Sequence, residues 1–289
     1  MKEWEVVKGS FLLCFIPRIV TVTMPTGRAR EDGMKKGIVA GILALSLLLG
    51  GAAIFAVLWR RQESGAREPD EGAAQECVAI RVGQSGSDAL AASGSGVVFE
   101  KSEDALWVVT AGHVLERADA EHPVYVVFPK GCDSVSGTDK CSLAGEVVTV
   151  QCTDYDVLAE ADLAFLRLGC DELPKETWQG LRAAERDKES YDALQSMDKV
   201  YVSGCWDGSL VVCEGTLEEF WIYVEDFGQY MTLARCELSH GMSGGGLYDE
   251  EGRLIGIVCG SNEQGEVAAV PLHVVEARFE ADSSARAIR

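Results

Sequence analysis

Ala105-Leu-Trp-Val-Val-Thr-Ala-Gly-His113 is a short apolar run that ends in small residues and then presents an imidazole. The run 105–110, five apolar residues and a threonine, is too short for a buried helix and suits a β-strand. Five further apolar or alternating runs of this kind surround it, at 78–82, 96–99, 124–128, 147–150 and 163–168, separated by clusters of Gly, Ser, Asp and Pro. A polar stretch, 171–198, with a possible helical patch at 181–194, then reads as a connector. A second series follows at 200–203, 210–212, 220–224, 231–234, 254–258 and 267–270, with residues 272–279 closing the domain as a short helix. Many short strands at regular spacing predict an all-β domain, sandwich or barrel, rather than an α/β fold.

Upstream of the strands the composition changes character. Residues 37–59 are 23 residues without a charge, enough to cross about 30 Å of hydrocarbon, and lie between Lys35-Lys36 and Arg60-Arg61. The run is longer than the apolar core of a signal peptide and lacks a small-residue cleavage site, so it is expected to be an uncleaved transmembrane anchor. Seven Lys/Arg precede it, which places the N-terminus in the cytoplasm and the remainder outside. Residues 60–75 have the composition of a stalk. The overall charge of −20 divides sharply: residues 1–61 carry nine Lys/Arg against four Asp/Glu, while residues 62–289 carry 17 against 42. That acidic balance excludes nucleic acid as a partner, because phosphates must be met by clustered cations.

Nine of the ten cysteines, beginning at Cys77, follow the apolar span. With no C-x-x-C pair or Cys/His cluster at zinc-ligand spacing, no metal is expected, and disulfides in an oxidising exterior are the default. Nine is odd, so at least one cysteine is left over. Cys132 and Cys141, flanking a polar loop, are the first pair to consider, and the remaining connectivity cannot be read from spacing.

Three segments carry chemistry. His113 ends an apolar strand, and imidazole near its ordinary pKa can accept a hydroxyl proton and return it to a leaving group. Taken alone it could equally be a strand-capping histidine. Asp162-Leu-Ala-Phe-Leu-Arg-Leu168 joins a carboxylate to an alternating strand that could hold it against an imidazole, with Asp154 and Asp156 as rivals for that role. Gly241-Met-Ser243-Gly-Gly-Gly-Leu-Tyr248 flanks a serine with glycines, so that a tight loop can aim the amides of Gly241 and Ser243 at one developing oxyanion. His113 and Asp162 fall in the first strand series and Ser243 in the second, which puts the site between two halves.

T-A-G-H, D-L-A-F-L and G-x-S-G-G in this order resemble the trypsin-like serine peptidases, especially the bacterial branch related to the Htr/Deg proteases. Ser93-Gly-Ser-Gly-Val-Val-Phe99, Gly252-Arg-Leu-Ile-Gly-Ile-Val258 and Ala269-Val-Pro271 support the likeness. It implies two antiparallel β-barrels, no cofactor, a protein or peptide substrate, and a triad of His113 as base, Asp162 as its partner and Ser243 as nucleophile, with Gly241 and Ser243 as the oxyanion hole. The expected organisation is a cytoplasmic segment at 1–36, the anchor at 37–59, the stalk at 60–75, a peptidase domain at 76–280 and a tail at 281–289. An inactive relative that only binds peptides, or an acidic anchor that recruits partners, would share the fold.

The likeness has departures. Met242 stands where pancreatic-type enzymes have an aspartate that pairs with a freed N-terminus, Gly246 replaces a usual proline, and the chain ends without room for a PDZ domain. For substrate binding the resemblance points to Cys259-Gly260-Ser261 as the strand that pairs with substrate backbone, with Gly260 leaving the pocket mouth open. Glu237, six residues before Ser243, is either the base of a pocket for Lys or Arg or a solvent-facing glutamate. Natural substrate and oligomeric state are not encoded in any of these motifs.

Overall fold

The structure, a computed structural model, describes residues 76–83, 90–129, 141–142, 147–206, 209–236 and 241–288. The expected anchor at 37–59, the segments flanking it, Cys132 and Glu237 lie outside the described residues. Among those described, no helix is long and apolar enough to cross a membrane.

Fourteen strands account for most of the described chain. In order they are β1 (Cys77–Gly83), β2 (Leu90–Lys101), β3 (Ala105–Ala111), β4 (Val124–Pro129), β5 (Cys141–Ser142), β6 (Val147–Cys152), β7 (Asp154–Leu158) and β8 (Leu163–Gly169). After two short helices, α1 (Lys175–Gly180) and α2 (Lys188–Ala193), come β9 (Lys199–Trp206), β10 (Ser209–Val224), β11 (Gln229–Arg235), β12 (Gly246–Tyr248), β13 (Leu254–Ser261) and β14 (Glu266–Pro271), then helix α3 (Leu272–Ile288). They form two seven-stranded antiparallel sheets, ordered β6-β4-β1-β2-β3-β8-β7 and β11-β14-β13-β12-β9-β10-β5. In the second sheet β11 also pairs with β10, so the sheet curls back on itself. The pair of curled sheets fits a trypsin-like double barrel.

Alternation explains why these segments are strands. On β8 nearly every residue is buried, because the strand is packed on both faces, whereas the second half of β10 alternates exposed and half-buried positions. Ile80, Phe99, Leu106, Phe165 and Leu166 are fully buried in the first half, and Val200, Leu217, Met242, Ile255 and Val258 build a core in the second. Each such side chain contributes about 1.5–3 kcal/mol by leaving water.

The structure departs from the sequence expectation in several places, among them β5 and β12, which no apolar or alternating run announced. The polar connector folds as α1 and α2 rather than one helix over 181–194. β10 is one strand where two were expected, because its charged middle still pairs: β9 takes the first half and β11 the second, with bulges between Leu217 and Ile222. β7 was not expected as a strand. Helix α3 runs to Ile288, so residues 281–288 are not a separate tail. Phe279 packs on Phe99, Trp107 and Phe165 of the first sheet, at ring distances of 5.1, 5.4 and 5.5 Å. Two turns further on, Arg286 binds Asp282 on its own helix and Asp156 on β7, and lies over the Trp107 ring. A helix that follows the second barrel is thereby strapped to the first.

Candidate active site

Strand register brings His113 and Asp162 together. β3 and β8 are antiparallel with Ala111 opposite Leu163, so the residues just past the end of β3 lie beside the residue just before β8. The 49-residue separation disappears. Asp162 itself sits in the left-handed region, at φ 47° and ψ 45°, where a short polar side chain that can bond locally is among the few tolerated. That turn aims the carboxylate back at residue 113. Asp162 Oδ1 accepts from the His113 backbone N–H at 2.8 Å, and the two carboxylate oxygens lie 3.1 and 3.0 Å from His113 Nδ1. One carboxylate thus fixes both the main chain and the ring, and Nδ1 is the nitrogen that carries the proton towards it.

The pair shifts both titrations. The bond from Asp162 raises the His113 pKa above its ordinary 6.5, against an opposing effect of burial. Burial pushes Asp162 upward, but the bonds from His113 outweigh it and hold the carboxyl below its usual value. The acid is the more enclosed partner, with its side chain 17% exposed against 43% for the imidazole. Asp154 and Asp156, the rivals, are engaged elsewhere: Asp154 with Arg167 and Arg286, Asp156 with Arg286.

Ser243 arrives from the second barrel on the loop between β11 and β12. Met242 anchors that loop, its side chain 1% exposed in the second core. Gly244 shows why glycine is needed. Its φ is +85°, and a Cβ there would lie 2.2 Å from both Ser95 O and Thr110 Oγ1 and 3.0 Å from the Ala111 nitrogen, so the loop presses against the end of the histidine strand. Gly241 has φ +96°, and a Cβ on it would meet the Cys205 carbonyl at 2.8 Å. Around the serine, Ser95 N–H donates to Ser243 O at 2.7 Å, Gly244 N–H to Val258 O at 2.7 Å and Val258 N–H to Gly245 O at 2.8 Å. The amides of Gly241 and Ser243 have no acceptor among the described residues. The Ser243 hydroxyl donates to Cys259 O at 3.2 Å rather than to the imidazole.

Cys259 and Gly260 lie on β13 directly beside this loop, and Ser261 ends the strand, exposed. The Cys259 thiol faces inward, 3.9 Å from the Asp162 carbonyl oxygen, so this residue touches both the Asp162 turn and Ser243. Gly260 does not open onto empty space: the Phe227 ring has an atom 3.6 Å from where a Cβ would sit. Phe227 belongs to the β10–β11 hairpin, whose Gln229 side chain donates to Ala161 O at 3.0 Å, next to Asp162. Neither Phe227 nor Ser95 was legible as part of the site. Ser95 Oγ donates to Gly241 O at 2.8 Å and accepts from the Cys205 N–H at 2.7 Å. Its partners are 146 and 110 residues away, and only the S-G-S-G run hinted at it. Among the described residues no three His, Cys, Asp or Glu side chains converge as metal ligands would.

Comparison with known proteins agrees with this architecture. The crystal structure of Deg5 superposes with a TM-score of 0.53 at 15% sequence identity, covering 71% of this chain and 87% of that one, a likeness of fold. No curated protein sequence matches. The family model described as trypsin-like peptidase domain matches residues 94–257. That interval holds His113, Asp162 and Ser243 and is more than half of the sequence, and the chain therefore belongs to the trypsin-like peptidase domain family.

Proposed function

We propose that the chain is a serine endopeptidase in which Ser243 is the nucleophile, His113 the general base and Asp162 the group that orients it. The observation that carries this is the His113–Asp162 pair, doubly bonded by one carboxylate and pressed against the glycine loop of Ser243. Rotation of the Ser243 hydroxyl from Cys259 O towards the free imidazole nitrogen lets His113 take its proton as the oxygen attacks a substrate carbonyl carbon. The carbonyl oxygen becomes an oxyanion within reach of the Gly241 and Ser243 amides. His113 then gives the proton to the leaving amine as the C–N bond breaks, and water repeats the cycle on the acyl-enzyme. Asp162 stays ionised throughout and stabilises the imidazolium.

The observed direction of the Ser243 hydroxyl also favours a second reading, a domain that binds peptides without cutting them. One experiment separates the two. A fluorophosphonate should label the wild-type protein at Ser243 and leave Ser243→Ala unlabelled; a folded wild type that never labels refutes the enzyme. The reading includes a membrane anchor at 37–59 with the peptidase domain outside. Its support is the uncharged run and the Lys/Arg bias before it. Protease shaving of intact cells should remove the domain, and its survival inside them would reverse the topology. For Glu237, mapped cleavage sites in wild type and Glu237→Ala decide between a basic-residue pocket and a solvent-facing acid.

A further inference from the structure

Several described thiols are satisfied by carbonyl oxygens. Cys152 Sγ lies 3.5 Å from Asp154 O and 3.6 Å from Arg167 O, Cys236 Sγ is 3.5 Å from Glu214 O, and Cys259 lies against Asp162. Cys77 and Cys205 differ. Cys77 opens β1 of the first sheet and Cys205 lies near the end of β9 in the second. At the junction between the barrels β1 packs against β9, both cysteines are buried in one small cluster with Ala79, Val127, Leu210 and Val212, and Cys205 is the neighbour that most raises the Cys77 pKa. Cys77 Sγ also approaches Val78 O, at 3.9 Å.

Cys205 is also joined to the nucleophile loop. Its N–H donates to Ser95 Oγ at 2.7 Å, Ser95 Oγ donates to Gly241 O at 2.8 Å, and its own carbonyl abuts Gly241 at the point where a side chain would begin. Gly241 supplies one of the two amides assigned to the oxyanion. Whatever fixes the main chain at Cys205 therefore fixes that end of the loop.

We propose that Cys77 and Cys205 form an oxidisable pair whose disulfide staples the two barrels together and holds the Gly241 end of the nucleophile loop. The effect on the loop rests on the peptidase reading above; the staple does not. The co-reactant is a small-molecule disulfide. Cys205, 7% exposed against 0% for Cys77, is the point of entry. Its sulfur, as thiolate, attacks one sulfur of the small disulfide and releases the other half as a thiol. Cys77 then loses its proton and attacks the Cys205 sulfur, expelling the second half. The two protein thiols give up two protons and two electrons, and the small disulfide becomes two thiols. Cys205, burial and the neighbouring charge of Glu76 raise the Cys77 pKa, so Cys77 is the poorer nucleophile of the two and is left to the second, intramolecular step. Because the bridge would close a loop reaching from residue 77 to residue 205, it would remove much freedom from the unfolded chain.

The test uses the full chain in mild detergent, equilibrated with either dithiothreitol or oxidised glutathione. Unreduced peptide mapping by mass spectrometry should show a Cys77–Cys205 linkage only in the oxidised sample, whatever other cysteines also pair. The oxidised form should melt roughly 5–15 °C higher. It should also react with a fluorophosphonate about threefold or more faster. Cys77→Ser and Cys205→Ala should each abolish both differences. Absence of the linkage in folded, oxidised wild type overturns the proposal without recourse to any variant. A linkage with unchanged melting refutes the staple, and a linkage with unchanged labelling rate refutes its hold on the loop. If the linkage forms and melting rises but neither form labels, the staple stands and the peptidase reading fails.

Discussion

Asp154, Asp156 and Asp162 lie within one short stretch, yet they end on different cations. Asp154 and Asp156 are two residues apart on β7, so both project from one face of the strand and both reach Arg286 on α3. Asp162 follows a turn, takes a left-handed conformation and meets His113 instead. The first cluster joins a helix to a sheet with a guanidinium that is always charged. The second is built on a base that titrates near neutrality and keeps one nitrogen for other work. Backbone placement, not the chemistry of the acid, separates a clamp from an acid–imidazole pair.

Breaking each cluster should leave a different trace. The largest effect is expected from the pair with His113: His113→Ala, like Ser243→Ala, should lower peptide hydrolysis by about 10⁴–10⁶-fold, because triad members act as a unit. Thermal unfolding should move by only a few degrees. Asp162→Asn should follow, with a loss of about 10³–10⁴ in kcat, since the amide cannot hold the imidazole in its working tautomer. Asp156→Asn should change kcat by less than about threefold on the proposed roles. Steady-state kinetics on the four variants checks both statements, and a severe Asp156→Asn beside a harmless Asp162→Asn would exchange the two clusters.

What the sequence disclosed follows the same division. The strands were legible where apolar residues alternate or run together, as at 78–82, 105–110 and 163–168. β7 was not, because its Asp-Tyr-Asp start looks like turn chemistry until Arg286 on α3 neutralises it. The extension of α3 beyond Phe279 was hidden for the same reason: its support comes from Asp282, Arg286 and the acids of β7, not from an apolar stripe. His113, Asp162 and Ser243 could be singled out because each sits in a short local motif. Phe227, Ser95 and the Cys77–Cys205 contact could not, because each depends on a residue far along the chain, brought near only when the barrels close. β12 was hidden by the glycines that the Ser243 loop requires.

A pH profile sharpens the comparison at smaller amplitude. The base must be neutral to accept a proton, and Asp162 raises its pKa, so kcat/KM should climb with pH through an inflection above 6.5, by about tenfold per unit on the acid limb. Residual activity of Asp162→Asn should show that inflection at lower pH. An unmoved inflection would mean that another group controls the ionisation. In folding the sign is opposite. A raised His113 pKa adds stability that is complete below the ordinary imidazole value and is lost as pH rises through the higher folded value. His113→Ala should therefore destabilise slightly more at pH 5 than at pH 9.

The smallest effect on catalysis, and the clearest on stability, is expected from Arg286→Ala. The guanidinium is 13% exposed, contacts three aspartates and lies 5.1 Å from the centre of the Trp107 ring. Its removal deletes that stacking and leaves Asp282, 6% exposed, facing Asp156 with no cation between them. Losing one partner of an enclosed ion cluster costs about 2–3 kcal/mol after allowance for the exposure of Asp154 and Asp156. For a domain of this size that lowers the melting temperature by roughly 4–12 °C. Burial already raises the Asp282 pKa, with Arg286 opposing it; without Arg286 the carboxyl should rise further and take up a proton. A raised folded pKa stabilises only below the ordinary carboxyl range, so the deficit should grow from pH 4 to pH 7. Asp156→Asn placed on top of Arg286→Ala should recover part of the loss at pH 7 by removing the facing charge. Activity per folded molecule should stay within about twofold of wild type, since none of these groups touches His113. Differential scanning calorimetry with active-site titration measures both quantities. If Arg286→Ala instead abolished activity at unchanged melting temperature, the clamp and the catalytic pair would be one unit and the contrast between them would fail.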